Sequence, residues 1–194
     1  KFSEHFDAGS AIVAPYLRYR GISDVDLLVV SHSDTDHSGG VAGLMSQFAA
    51  HRVLAGQPGA VAAQQAEPCR AGMSWQWGEV GFEVIHPDEG VQYADNNTSC
   101  VIVIRLADQT VLLMGDIDAS TETKLLQAGR LPEHVSLVVA PHHGSKSSSG
   151  SAFVAAVAPE HVVYSAGFHH HFGHPHGVVV RRYAAVNARQ WRTG

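Results

Sequence analysis

Short apolar runs rich in branched side chains recur along the chain, and most end in a polar, glycine-containing stretch. Val25 to Val30 is such a run and predicts a buried strand ending at Ser31. After Ser38-Gly39-Gly40, the positions Val41, Leu44, Met45 and Phe48 recur at helical spacing and predict a helix to about residue 50. Residues 52–55 read as a short strand, and 56–75 as loop with one helical turn. Strands follow over residues 80–85, 100–106 and 110–114, the last two joined by a hairpin-type turn. A helix over 120–128 has Ser120 as N-cap and Gly129 as its stop. Then come a strand (135–140), a helix (151–157), a strand (162–165) and a last helix (178–188). The alternation predicts an α/β fold without tandem repeat or internal linker.

Composition narrows this picture only modestly. At 194 residues the chain fits one domain spanning 1–194. Hydrophobic residues make up 45% and the net charge is −5, which argues against a broad nucleic-acid-coating surface. No run approaches the ~18 apolar residues of a membrane span, and no signal peptide opens the chain. Lacking an initiator Met, the chain reads as a fragment of something longer. Cys69 and Cys100 are too few for a disulfide scaffold and form no CxxC pair; they are either two buried thiols or one bridge. Aromatics are 8% and read as mostly buried, giving little support for base stacking.

Histidine changes the picture. There are fourteen, against thirteen Lys plus Arg. His5, His51, His86, His134 and His161 are isolated and read as background; the others cluster just after strand ends, where α/β folds assemble sites from loops. In His32-Ser33-Asp34-Thr35-Asp36-His37, the residues His32, Asp34 and Asp36 alternate. On an extended segment they share one side, with His37 turning away at the helix entrance. Imidazoles and carboxylates at this density suit a divalent cation. Gly115-Asp116 ends a strand and places a carboxylate where it can bridge two metals. Pro141-His142-His143-Gly144 contributes one further ligand, His142 preferred, with His143 supporting or catalytic. Asn97, Ser145, Lys146 and His176 are candidate substrate contacts, and His174 or His176 a candidate general acid. The run His169-His170-His171 belongs to the same loop.

The ordered set of a strand, His-x-Asp-x-Asp-His-x-Gly-Gly, Asn96-Asn97, Gly115-Asp116, Pro141 to Lys146 and Phe172-Gly173-His174-Pro175-His176 resembles the metallo-β-lactamase superfamily. Within it, the chain is similar to the C-terminal domain of ComEC-type competence DNA-uptake proteins. Phe6-Asp7-Ala8-Gly9 and Pro15-Tyr16-Leu17-Arg18 strengthen that match. Asp34 stands where most of the superfamily has a second His, and Asn96/Asn97 where a third-motif His is usual. The resemblance implies an αββα sandwich, its first strands missing or kept only at Phe6. It also implies a membrane channel carrying single-stranded DNA into a bacterium, with this domain outside the inner membrane degrading the strand not imported. In such an oxidising space, a Cys69–Cys100 disulfide becomes the expectation.

The activity so implied is two-metal phosphodiester hydrolysis, with His32, Asp34, Asp36, His37, Asp116 and His142 as ligands. The catalytic groups are Asp36, His143 and His174. Carboxylate at position 34 favours Mn²⁺ over Zn²⁺, with Mg²⁺ also accommodated. Arg18, Arg20, Arg181, Arg182 and Arg189 are candidates to track a DNA backbone. Expected partners are DNA, the rest of the channel and other competence proteins. Two rivals remain: a lactonase or phosphorylcholine-esterase type of small-substrate hydrolase, marked by a deep apolar pocket, and a non-catalytic DNA-binding accessory, marked by absent metal binding.

Overall fold

The computed structural model describes residues 6–167 and 172–194. His5, His169, His170 and His171 lie outside the described residues. A π-type turn over Gly9–Val13 leads into α1 (Ala14–Tyr19), an element the hydrophobic pattern does not announce. Then come β1 (Val25–Val30), α2 (Thr35–Ser38), α3 (Val41–Met45), β2 (Ala50–Ala55), β3 (Glu67–Pro68), β4 (Ser74–Trp77) and β5 (Val80–His86). The chain continues through β6 (Val101–Leu106), β7 (Gln109–Leu113), α4 (Ala119–Gln127), β8 (Leu137–Val139), α5 (Ser151–Val157), β9 (His161–Tyr164), α6 (Gly177–Ala185) and β10 (Arg189–Arg192).

Two sheets form. One is parallel, in the order β1-β2-β3; the other runs β10-β9-β8-β7-β6-β5-β4. From β10 to β7 the second sheet is parallel, and from β7 to β4 antiparallel. Strand side chains alternate between faces, and that alternation sorts the core into layers. From β1, Leu27 and Val29 meet Val84, Ile102, Ile104 and Leu113 of the larger sheet. Their neighbours Leu28 and Val30 face the other way, toward Val41, Leu44 and Phe48. On the far side of the large sheet, Val101, Val103 and Leu112 pack on Leu125, Phe153, Val157, Val179 and Tyr183 from α4, α5 and α6. This is the expected αββα sandwich.

Differences from the sequence reading have local causes. The helix expected over 38–50 breaks into α2 and α3 at Gly39-Gly40; an irregular last turn, closed by Phe48 N–H to the Leu44 carbonyl, still buries Phe48. Asp118, not Ser120, caps α4: its Oδ1 accepts from Thr121 N at 2.9 Å, and an anion suits a helix N-terminus better than a hydroxyl. β4 and β10 are sheet edges, and Ser-Trp-Gln-Trp and Arg-Gln-Trp-Arg lack the apolar signature of inner strands. Aromatics are also less buried than expected, with Tyr16, Tyr19, Trp77, Phe172 and Trp191 all exposed.

Two devices secure the loops at the sheet edge. Cys69 and Cys100 form a buried disulfide within the layer between the sheets. Behind residues 145–150, the fully buried Glu122 carboxylate accepts the backbone N–H groups of Ser149 and Gly150. Arg182 donates to the carbonyls of Ser148 and Ser149, and so is committed to the loop rather than to DNA. Burial raises the Glu122 carboxyl to about 7, against the pull of the two N–H groups.

Two outcomes follow. The disulfide closes a loop with a sequence separation of 31, worth about 3–4 kcal/mol by chain entropy. Thiol reduction, or the Cys69→Ser/Cys100→Ser pair, is therefore expected to lower Tm by roughly 10 °C; an unchanged Tm would show the bond to be dispensable. For Glu122, the folded pKa of about 7 lies above the ordinary 4.5, so protonation favours the folded chain. Its contribution is full below 4.5 and is lost as pH rises through about 7, with an upper bound of about 3 kcal/mol. Denaturant melts across that range should show a decline in the wild type that Glu122→Gln lacks, and parallel curves would refute it.

Candidate metal centre

Five loops at one edge of the sandwich bring the predicted residues together. After β1, Asp34 stands at the N-cap position of α2, so Asp36 and His37 lie on a helical turn rather than an extended segment. His37 consequently does not turn away. Its Nε2 lies 3.2 Å from Asp116 Oδ1 and 3.2 Å from His143 Nε2. Gly115, with φ +54, delivers Asp116 past the Ser99 side chain, where a Cβ on residue 115 would come within 2.6 Å of Ser99 Cβ. Only glycine combines that φ with that approach.

Asp116 is the hub. Its Oδ2 lies 3.4 Å from His143 Nε2, 3.9 Å from His142 Nε2 and 4.0 Å from His32 Nε2. His143 also meets Asp36 Oδ2 at 3.2 Å, and His32 approaches Asp34 Oδ2 at 3.6 Å. Two three-residue donor groups emerge among the described residues, His32/His37/Asp116 and Asp36/His37/His143, with His37 in both. His142, the preferred ligand of its pair, belongs to neither; His143 takes that place. The backbone explains the swap: His142 (φ 49) and His143 (φ 55) are both left-handed, so successive imidazoles diverge, their planes 76° apart. Such φ values are costly outside glycine, and here they occur at the site. Gly144 (φ +84) completes the turn, and a Cβ there would meet Pro175 and Tyr164 at under 3 Å.

The depth is graded. His32 and Asp116 form a buried floor, while Asp34 and Asp36 are exposed at the rim. His32 is fully buried, and its Nε2 has no hydrogen-bond partner among the described residues, although Nδ1 lies 3.1 Å from Ser31 Oγ. Leaving such a nitrogen unsatisfied costs roughly 1–3 kcal/mol, which a cation at that position would recover. Burial, helped by the neighbouring His37, lowers the His32 pKa and keeps the ring neutral, with a lone pair to offer. Asp116 is lowered as well: burial works against ionisation but is outweighed by the His37 hydrogen bond and the surrounding imidazoles. For His37, burial is likewise outweighed by Asp116 and the neighbouring carboxylates, and its pKa is raised. An anionic floor and a neutral, unsatisfied imidazole fit a divalent cation. His32, His37, Asp116, Asp36 and His143 are the residues that would hold it, with Asp34 beside them.

Around these donors, Ser31 Oγ bridges His32 Nδ1 and His37 Nδ1, at 3.1 and 2.9 Å. Ser99 Oγ accepts from Asp116 N at 3.0 Å. Neither serine carried a sequence signal beyond its place next to a strand. Asn97 was expected at substrate, but its amide is spent on Asp118 and Thr121; Asn96 instead reaches His142 Nδ1 at 3.4 Å. The Nδ1 of His176 caps α6 through Val178 N. His142, Ser145, Lys146, Phe172, His174 and His176 line an adjoining cavity of about 430 Å³. Of the arginines proposed to track DNA, Arg18 is engaged with Gln47 and Phe48, and Arg20 with Tyr16.

Comparison with known proteins gives the family and the fold. The chain is 35% identical over 195 residues to the competence protein ComA of Neisseria gonorrhoeae, covering 97% of this chain and 27% of that protein. It is 29% identical to recombination protein 2 of Haemophilus influenzae, covering 88% of this chain and 21% of that one. The chain thus spans about a quarter of the length of these curated relatives. In fold it is similar to CmlA, a diiron β-hydroxylase from Streptomyces venezuelae, at a TM-score of 0.55 and 13% identity, over 88% of this chain and 44% of that one. Residues 6–169 match the family model of the metallo-beta-lactamase superfamily, and to that superfamily the chain belongs.

Proposed function

We infer that the chain is a metal-dependent nuclease domain of a ComEC-type competence protein, hydrolysing DNA phosphodiesters to degrade the strand that is not imported. One observation carries the reading: the two donor groups sharing His37 open beside a cavity whose lining includes Lys146, Ser145 and three imidazoles along with Phe172. Cationic and hydrogen-bonding groups suit a phosphate backbone, whereas a lactone or choline ester calls for a deep apolar pocket. Similarity to competence proteins supports DNA as the polymer, with the remainder of a membrane channel and other uptake proteins as partners. The disulfide suits an oxidising, extracytoplasmic space. Among the described residues, no helix is long and apolar enough to cross a membrane.

Two divalent cations, when bound, would supply Lewis acidity toward the phosphoryl oxygens and lower the pKa of water. The chain's own residues do the rest. Asp116, His32, His37, His143 and Asp36 hold and orient, and Lys146 and Ser145 present positive charge and a hydroxyl to the phosphate. His174, its ring 5.9 Å from that of His142, protonates the departing sugar oxygen. Three carboxylates in the donor neighbourhood make the site harder than an all-imidazole one, which favours Mn²⁺ over Zn²⁺, with Mg²⁺ also accommodated.

With Mn²⁺ and an end-labelled single strand, wild type should cleave and Asp116→Ala should lose at least about a hundredfold. Titration calorimetry should show Mn²⁺ affinity lost in the same variant. No cleavage by wild type with any divalent metal would sink the nuclease reading. In a metal-stripped preparation, Mn²⁺ should restore more activity than Zn²⁺; equal or greater restoration by Zn²⁺ would reverse the metal assignment.

A further inference from the structure

Exposed large apolar side chains are mostly scattered singly along the chain: Phe6, Trp77, Val91, Leu106, Phe172 and Trp191. Ile12, Val13, Tyr16, Tyr19 and Ile22 crowd instead into one short segment, with Tyr19 86% exposed. Scattered exposure is ordinary, whereas a clustered patch marks a surface that meets something. Local structure turns these residues outward together. Ala14 and Leu17 face inward, onto Leu44 and Phe48. Ile12, Tyr16 and Tyr19, at spacings of four and three, share an outward stripe of the helical segment 9–19. Past the helix end, Gly21 (φ +71) donates to the Arg18 carbonyl and Ile22 N–H to the Leu17 carbonyl, both at 2.9 Å, which folds Ile22 back against the last turn. The segment is therefore apolar toward both sides, and the described residues cover the inward one.

Charge indicates the partner. From Ala8 to Ser23 the sequence has no carboxylate, in a chain of net charge −5. Arg18 donates to Gln47 and lies over the Phe48 ring, while Arg20 donates to the Tyr16 hydroxyl and lies over its ring. All these partners are neutral, so both guanidiniums keep their full charge beside the apolar stripe. We propose that residues 12–22 form a docking face for an anionic phospholipid bilayer, lying in the plane of the interface rather than crossing it. Tyr16 and Tyr19 suit the headgroup level, where a ring meets apolar matter and its hydroxyl stays wet. Ile12, Val13 and Ile22 reach the acyl boundary, and Arg18 and Arg20 pair with lipid phosphates. A nucleic acid would engage the arginines and tyrosines but leave the three aliphatic side chains unanswered. The face is also closely tied to the metal centre. Gly9 abuts Gly40, just past the His37 loop, so tightly that a Cβ on Gly40 would lie 2.7 Å from Gly9 N. A bilayer held by this face thus sets the attitude of that loop. The inference stands apart from the nuclease reading and does not need it.

The test is vesicle co-sedimentation of the purified chain without added divalent cation, comparing phosphatidylcholine vesicles with mixed phosphatidylcholine–phosphatidylglycerol ones. Wild type should bind the mixed vesicles and ignore the neutral ones. Ile12→Ser with Tyr19→Ser should weaken that binding at least about tenfold, and Arg18→Gln with Arg20→Gln about thirtyfold. Tyr19→Trp should keep it. Because these side chains are exposed, thermal unfolding should confirm that each variant is folded. Absence of wild-type binding to the anionic vesicles, or binding that the paired substitutions leave intact, would overturn the proposal. Two other results would reassign the face. If vesicles are ignored while the same substitutions abolish binding of a single-stranded oligothymidylate, the face belongs to nucleic acid. If they abolish a concentration-dependent dimer in sedimentation, it belongs to a second copy, and in either case the lipid proposal fails.

Discussion

A carboxylate almost sealed from water must be matched by positive charge or lose its own, and at Asp116 that requirement organises the whole edge of the sandwich. Four imidazoles converge on it within 4.0 Å, from two loops whose positions are set by β1 and β8. His37 and His143 lie 3.2 Å apart, and His32 retains a buried nitrogen without a hydrogen-bond partner among the described residues. The arrangement is electrostatically incomplete by construction, and a divalent cation is the simplest completion.

The sequence announced the floor of this site better than its rim. His32, His37, Asp116 and the His142-His143 pair were legible because each follows an apolar strand whose end defines where its loop projects. What periodicity could not convey was handedness of backbone. Two consecutive left-handed residues put His143 rather than His142 into a donor group, and a single helical turn brought His37 in rather than out. Asn97 illustrates a different limit: an amide next to a site can be scaffold or contact, and only the Asp118 and Thr121 bonds decide. The α/β alternation was legible and the αββα layering came with the family resemblance, whereas edge strands β4 and β10 were not legible, since polar edges lack the apolar signature that inner strands need.

Strain at the histidine turn is held from behind. Pro141 and Gly144 bracket it, the carbonyls of Gly115 and Gly144 accept N–H groups from His142 and His176, and Glu122 with Arg182 fixes the loop that follows. These contacts hold the turn that brings both imidazoles to Asp116, His143 at 3.4 Å and His142 at 3.9 Å. A buried carboxyl and an arginine that look like core bookkeeping in isolation are thus part of how the site is aimed.

The donors His37 and His143 are separated by 106 positions along the chain, and His32 and His142 come from the same two distant loops. No short fragment can hold the cluster, because its donors meet only when the loops after β1 and β8 lie side by side. An ion would therefore bind the assembled edge rather than any short segment, and its uptake would report that the two loops have met.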